Sequence, residues 1–249
     1  MKLSHKLCGA ALLAVAGVAL VVPNTTKAAD DDSKTGTGHI GFTSTVDTDI
    51  TDPGSSDGTK IYPSDTEDPG EFGMIVVTPL EFGNHSVVGA ETDKSYDVTK
   101  YTVATDGDDK EMQHFVSYQD YRAQEDHSYT LSANISSGFA STEGNYLKGA
   151  KLTYSNLWLA NKNLTVTDNP TPEASVALDS ADTAAGVGAS KVFVNNTATT
   201  GVGYGRYTLN FGSADAANIE SSIVLDVTNS GNIAKGDYNA VITWTLAEI

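Results

Sequence analysis

The chain has 249 residues, which is room for one large domain or two small ones beside any targeting segment. Its formal net charge is −17, and 23 glycines and 11 tyrosines accompany only 19% charged residues, a composition typical of a turn-rich β-protein. An acidic chain without a basic cluster is repelled by a nucleic-acid duplex and by an anionic lipid surface, so the composition excludes nucleic acid and such membranes as partners.

Residues 1–28 have the three parts of a secretory signal peptide. Lys2 and Lys6 form a basic start, an apolar run covers residues 7–22, and a small-residue cleavage site ends at Ala28. The run is short for a membrane span of about 20 apolar residues, and Pro23 follows it. We therefore expect a cleaved signal and a secreted protein without membrane insertion of its own.

The single cysteine, Cys8, lies before most of the apolar run, whereas the lipid-modified cysteine of a lipoprotein lies after it. Cleavage leaves no thiol, so neither a disulfide nor a cysteine nucleophile is expected. The predicted signal carries three lysines and no acid, so 12 basic and 32 acidic residues remain and the net charge becomes −20.

Residues 29–71 are rich in Asp, Gly, Ser, Thr and Pro and bury too little apolar surface to offset backbone ordering. We expect a disordered acidic linker there. Residues 39–46, HIGFTSTV, interrupt it with alternating Ile40 and Phe42, which leaves a docked strand as an open alternative. The acidic clusters do not follow the spacing of a calcium loop, so no metal site is expected.

Residues 72–249 show a hydrophobic period of two, which indicates strands. Asp106-Gly107 lies between two β-prone runs and predicts a hairpin. The segment is expected to form one all-β domain, an antiparallel β-sandwich of Ig-like or related Greek-key topology, with a closed barrel as the alternative. In the last strand the alternation places Trp244 on the apolar face, as a core anchor whose indole N–H needs a partner.

Catalytic and cofactor sites are not expected. The chain lacks a G-x-S-x-G elbow, and its four histidines outside the signal include no pair spaced for zinc. No Asp or Glu stands in an apolar neighbourhood that would raise its pKa for glycosidase chemistry. We expect a protein that is not an enzyme, with no cofactor and no metal.

The segment ITWTL near the C-terminus resembles the distal motif of the WxL domain of secreted Gram-positive surface proteins. Other segments of residues 72–249 resemble that family in the same order. They are LEFGN (80–84), VSYQDYR (116–122), LKGAKLTYSN (147–156), YTLNFGS (207–213) and GDYNAVITWTL (236–246).

The resemblance marks Trp244, Thr245 and Leu246 as motif positions for wall or partner contact. Where the family carries its first Trp-x-Leu, this chain has Tyr129-Thr130-Leu131, so Tyr129 and Leu131 take the corresponding positions. Trp158 does not replace the missing indole in register and is a secondary aromatic candidate. Packing is the interpretation we favour for Tyr129, because an aromatic exchange in a core is mild.

The resemblance implies a secreted protein of the cell wall, held non-covalently by a WxL domain that binds peptidoglycan. It also implies a complex with co-encoded cell-surface proteins, including a membrane-anchored partner. No sorting motif or apolar tail follows Trp244, so the domain itself is expected to hold the surface. The alternative is a surface interaction or adhesion protein that binds a partner subunit or host ligand without direct wall binding.

Overall fold

A computed structural model of the chain describes residues 40, 49–55, 58–87, 94–162, 169–181, 183, 186–197, 202–213, 222–227 and 233–249. The chain divides into two compact units, Met1–Phe42 and Thr43–Ile249. In the first unit only Ile40 is described, so the predicted signal peptide lies outside the described residues, as does the rest of the 39–46 segment.

The described residues contain β-strands and no helix, because apolar side chains recur at every second position. The strands are β1 (Ile50–Thr51), β2 (Lys60–Tyr62), β3 (Phe72–Val77), β4 (Ser95–Asp97), β5 (Tyr101–Thr105), β6 (Lys110–Met112), β7 (His114–Asp120), β8 (Tyr129–Ser141), β9 (Lys151–Ser155), β10 (Leu157–Asn161), β11 (Ser175–Asp179), β12 (Lys191–Asn196), β13 (Gly205–Phe211), β14 (Ile223–Asp226) and β15 (Tyr238–Glu248).

The strands form four sheets, and every pairing is antiparallel. The N-terminal sheet has the order β1-β2-β5-β6, and the central sheet has the order β10-β13-β7-β3. The third sheet is β11-β9-β14-β4, and the C-terminal sheet is β12-β8-β15. The predicted all-β antiparallel class is confirmed, but the described chain has four separately hydrogen-bonded sheets where a sandwich has two.

The main core cluster lies among the central, third and C-terminal sheets. Each sheet contributes its apolar face to this core. In β8, for example, buried and half-buried residues alternate from Tyr129 to Ile135. Tyr154 of β9, Phe193 of β12 and Phe211 of β13 meet there as an aromatic group. One shared core therefore joins three sheets that have no ladder hydrogen bonds to one another.

The N-terminal sheet corrects part of the predicted linker. Ile50 and Ile61 pair across β1 and β2 and are 3% and 2% exposed in a second core cluster with Phe115 of β7. Asp52 is buried and ion-paired with Lys110. Residues 49–55 and 58–71 therefore form ordered structure where a disordered linker was expected. The reason is that β1 and β2 each supply one isoleucine to a core built by distant strands.

The second face of the central sheet is polar and nevertheless buried. Every residue of β7 and β13 is buried, so this sheet is covered on both sides. Arg206 Nη2 donates to Gln119 Oε1 at 3.1 Å, and Arg206 Nη1 donates to the carbonyl of Asp49 at 2.7 Å. Gln113 donates to Asn210 at 3.2 Å. The segment before β1 therefore helps to satisfy the polar groups of this face.

The hairpin predicted around Asp106-Gly107 is confirmed. β5 and β6 pair antiparallel on either side of it, with Tyr101 opposite Met112. The Thr105 hydroxyl accepts from the Gly107 N–H at 3.0 Å and donates to the Asp108 carbonyl at 2.8 Å. The turn is thus held by local side-chain hydrogen bonds of the kind that favour Ser, Thr, Asn and Asp in turns.

Candidate functional site

Strand β15 carries the C-terminal motif, and its register against β8 fixes the direction of each motif side chain. Trp244 lies opposite Ala133 and Leu246 lies opposite Leu131, and all four belong to the main core or pack against it. Thr245 alternates with them and is exposed on the other side of the C-terminal sheet. The motif therefore presents two side chains to the core and one to solvent.

Trp244 is half-buried against the aromatic group of the main core. Its ring centroid lies 4.5 Å from that of Phe193, 5.8 Å from that of Phe211 and 6.0 Å from that of Tyr154, with tilted or edge-on geometry. Offset and edge-to-face contacts are the arrangements that aromatic pairs prefer. Trp244 is therefore part of the packing, and the remainder of its surface stays accessible.

Tyr129 lies wholly inside the main core, so it has no surface to offer a ligand. Its ring meets Tyr118 edge-on with centroids 5.6 Å apart, and the two hydroxyl oxygens are 3.2 Å apart. Burial raises the pKa of Tyr118 and of Tyr129, and it raises the pKa of Tyr207, stacked on Tyr118, to about 12. Leu131 is also fully buried. Both residues of the first motif position thus serve packing in this structure.

At the C-terminal end of β15, Arg122 forms ion pairs with both Glu248 and Asp120, and so links β15 to β7. Arg122 donates to both carboxylate oxygens of Asp120, from Nε at 2.9 Å and from Nη2 at 2.7 Å, and its Nη1 lies 2.8 Å from Glu248 Oε2. The guanidinium also lies 4.0 Å from the ring centroid of Phe72. Burial of Asp120 opposes its ionisation, but hydrogen bonds from Arg122 and His127, together with the charge of Arg122, outweigh burial and hold the pKa of the carboxyl below its usual range.

Trp158 is not brought together with the C-terminal motif. It lies on β10 opposite Asn210, is half-buried, and its indole N–H donates to the Gly212 carbonyl at 2.7 Å. This bond satisfies the polar end of the ring, as buried tryptophans require. Trp158 is therefore a feature of the central sheet, and the candidate site consists of the C-terminal sheet and its surroundings.

A cleft of about 580 Å³ opens beside β15, and we call it the β15 cleft. One wall is formed by residues 77–87, which begin at the end of β3, and the other by residues 233, 234, 236–240, 242 and 244. Main-core side chains, including Tyr154, Phe211 and Trp244, also line it. Its volume lies within the range of ligand sites, about 300–1,000 Å³. The cleft could not be predicted from the sequence, because its lining comes from segments far apart in the chain.

The side of the C-terminal sheet that faces away from the main core carries hydroxyl and amide groups. We call it the outer face. The registers of β8, β12 and β15 place eight residues on it, and a hydrogen bond from Thr243 adds Ser136. These are Thr130, Ser132, Asn134, Ser136, Val192, Asn195, Thr243, Thr245 and Ala247. No member of this set is charged, although the whole chain carries a net charge of −17. Thr243 Oγ1 donates to Ser136 Oγ at 2.7 Å, so neighbouring hydroxyls hold one another in place.

In the part of the chain that the structure describes, no group of three or more His, Cys, Asp or Glu side chains is placed to hold a metal ion. The same residues include no helix of the length and apolarity that a membrane crossing requires.

Comparison with known families agrees with the motif on β15. The sequence model of the WxL domain, described as surface cell wall-binding, matches residues 18–249, which is nearly the whole chain. No curated protein and no solved structure matches the chain. The family match places the protein at the cell surface, on the cell wall. The chain belongs to the WxL domain family of surface cell wall-binding proteins.

Proposed function

We propose that the protein attaches non-covalently to the bacterial cell wall by direct binding of its WxL domain to peptidoglycan, as part of a surface protein complex. The observation that carries this proposal is the outer face of the C-terminal sheet. It offers hydroxyls and amides from three adjacent strands without a charged side chain. Such groups can hydrogen-bond the hydroxyls of a glycan strand laid across the sheet.

Charge supports a neutral ligand over an ionic one. A chain with a net charge of −17 is not drawn to the anionic polymers of a Gram-positive wall by simple attraction. Exposed Thr243 and Thr245 lie in one row of the outer face, so an uncharged polymer meets donors and acceptors without charge repulsion. We infer that the wall ligand is the neutral glycan of peptidoglycan and that the protein acts by binding, without catalysis, cofactor or metal.

The remaining expectations belong to the same proposal. Residues 1–28 act as a signal peptide that export removes, and the mature protein carries no lipid. The expected sandwich packing stays part of this proposal, and it is supported by the single core that the central, third and C-terminal sheets share. The partners include co-encoded surface proteins, one of them anchored in the membrane.

Sedimentation of the mature protein with protein-stripped peptidoglycan tests direct binding. Thr245→Glu places a carboxylate in the middle of the outer face, where glycan binding would desolvate it. We expect binding to fall by at least about tenfold, equivalent to about 1.4 kcal/mol. Thr102→Glu is the matched control, because Thr102 is exposed on β5 of the N-terminal sheet. This control is expected to bind as the unmodified protein does.

The outcome also separates the two candidate functions. Sedimentation of the protein alone supports direct wall binding. Sedimentation only after a partner protein is added supports a surface interaction protein without wall affinity. Equal losses of peptidoglycan binding in Thr245→Glu and Thr102→Glu would show that the outer face is not the binding surface.

A further inference from the structure

Strand β15 forms the edge of the C-terminal sheet. It pairs with β8 along one side, and among the described residues no strand pairs with its other side. The Ile249 N–H donates to the Ser128 carbonyl at 3.5 Å, on the β8 side. Successive residues of a strand direct their N–H and C=O groups to opposite sides. The backbone groups of Ile242, Trp244 and Leu246 therefore point away from β8, toward the free edge.

This edge lacks the features by which proteins prevent strand pairing. Natural edges are protected by lysine, proline, inward charges or bulges. The stretch Ile242 to Leu246, ITWTL, contains no charge, proline or glycine and is rich in β-branched side chains. The bulges of the β8–β15 pair lie before Ile242. The motif of the family thus occupies a regular, unprotected edge.

The β15 cleft lies along this edge and supplies sites for side chains. Ile242 and Trp244 line it from β15, while Leu80 and Phe82 line it from the opposite wall. A strand added to β15 directs every second side chain toward the same side as Trp244. Apolar side chains at alternate positions of the added strand would therefore enter the cleft, as in other cases of strand addition.

The charged side chains that line the β15 cleft indicate which kind of strand can bind there. The side chains of the cleft lining that carry a charge or can gain one near neutral pH are Glu81, His85 and Asp237, so acids predominate. A second copy of this chain would bring the same acids and its own net charge of −17 to the contact. A segment with a lysine or arginine beside its apolar positions meets Glu81 and Asp237 with opposite charge.

We infer that the free edge of β15 and the adjoining cleft bind an extended segment of a partner surface protein by strand addition. The segment carries apolar side chains at alternate positions and at least one basic residue. This inference rests on the proposed membership in a surface complex and names the surface through which the complex forms. The motif strand then serves two purposes, since Trp244 packs in the core and its backbone receives the partner.

A displayed library of random peptides, each about ten residues long, tests the inference with the mature protein as bait. Enriched peptides are expected to alternate apolar and polar residues and to contain more Lys and Arg than Asp and Glu. Enrichment of peptides with helical apolar spacing, or no enrichment at all, overturns the inference.

Amide hydrogen exchange then locates the bound peptide. The most enriched peptide should slow exchange at Ile242, Trp244 and Leu246 by at least about tenfold. Exchange at Thr243 and Thr245 should change little, because these N–H groups already bond to β8. Protection confined to another strand contradicts the edge assignment.

Backbone methylation of the same peptide gives an independent readout. N-methyl groups on one set of alternate residues remove the donors that face β15 and should weaken binding by at least about tenfold. N-methyl groups on the other set should leave the affinity unchanged. Equal effects of both sets would show that the peptide does not bind as a strand.

Two variants separate this inference from the proposed wall binding. Glu81→Gln with Asp237→Asn should weaken binding of the peptide and leave sedimentation with peptidoglycan unchanged. Thr245→Glu should weaken sedimentation with peptidoglycan and leave binding of the peptide unchanged, because Thr245 projects from the outer face. If the protein alone forms a dimer through β15, the edge binds a second copy of this chain, and the inferred partner protein would be wrong.

Discussion

Tyr129 and Trp244 occupy the two aromatic motif positions and are buried in the core to different degrees. Tyr129 is fully enclosed, and its hydroxyl lies beside that of Tyr118. Trp244 is half-buried and borders the β15 cleft. Tyrosine at the first position is therefore compatible with an intact domain, because that position holds a core side chain in this structure.

The hydroxyl pair of Tyr118 and Tyr129 should show coupled contributions to stability. Tyr129→Phe leaves the buried Tyr118 hydroxyl without its described partner and is expected to lower the free energy of unfolding by about 1–2 kcal/mol. Tyr118→Phe together with Tyr129→Phe should cost less than the sum of the single changes. Urea denaturation of all four proteins measures the coupling, and strict additivity would show that the hydroxyls do not interact.

Asp120 should make the stability of the fold depend on pH. Because its pKa is depressed in the folded protein, its contribution is present above the unfolded pKa of about 3.9 and is lost as pH falls through the folded pKa. Asp120→Asn should therefore be less stable than the unmodified protein near neutrality, and the difference should shrink below about pH 4. Denaturation across pH measures this, with exposed Asp109→Asn as the control. A difference that stays constant into acid would contradict the role of Asp120.

Among the elements, β8 and β15 were the most predictable from sequence. The alternation of Leu131 and Ile135 with polar residues in β8 matches their burial. The alternation through Trp244 in β15 places that indole against the core, as expected. Such strands are predictable because one face meets the core and the other meets solvent, so the pattern of side chains records the environment directly.

Other elements could not be predicted, because their environment comes from distant segments. Gln119 and Arg206 are polar residues of strands that are buried on both faces. The cover includes β1 and β2, whose single buried isoleucines, Ile50 and Ile61, are hidden in an acidic stretch that resembles a linker in composition. The position of β15 at a sheet edge among the described strands is likewise a property of strand order, which the local sequence does not encode.

Trp244→Ala tests the structural importance of the motif strand. Truncation of a buried aromatic side chain costs about 3–5 kcal/mol, and because Trp244 is only half-buried we expect about 3 kcal/mol. Urea denaturation should show a lower midpoint. Trp158→Ala on β10 is the control for loss of a half-buried indole and should leave peptide binding at β15 intact. A Trp244→Ala protein of normal stability that no longer binds the wall would make Trp244 a contact residue.

For the whole molecule, net charge and the uncharged outer face set the manner of attachment. The protein belongs to a family of surface cell wall-binding domains, yet its charge of −17 opposes attraction to anionic wall polymers. Two separate surfaces of the C-terminal sheet are proposed to act together. The outer face holds neutral glycan, and the edge of β15 holds a partner strand.

Wall binding measured across salt concentration, with and without a chelator, tests this account most directly. Contact with neutral glycan predicts that the fraction of mature protein sedimenting with purified peptidoglycan stays constant as salt screens surface charge, and that chelation has no effect. Loss of binding at modest salt, with no requirement for a divalent cation, would show that attachment is electrostatic and would contradict the account.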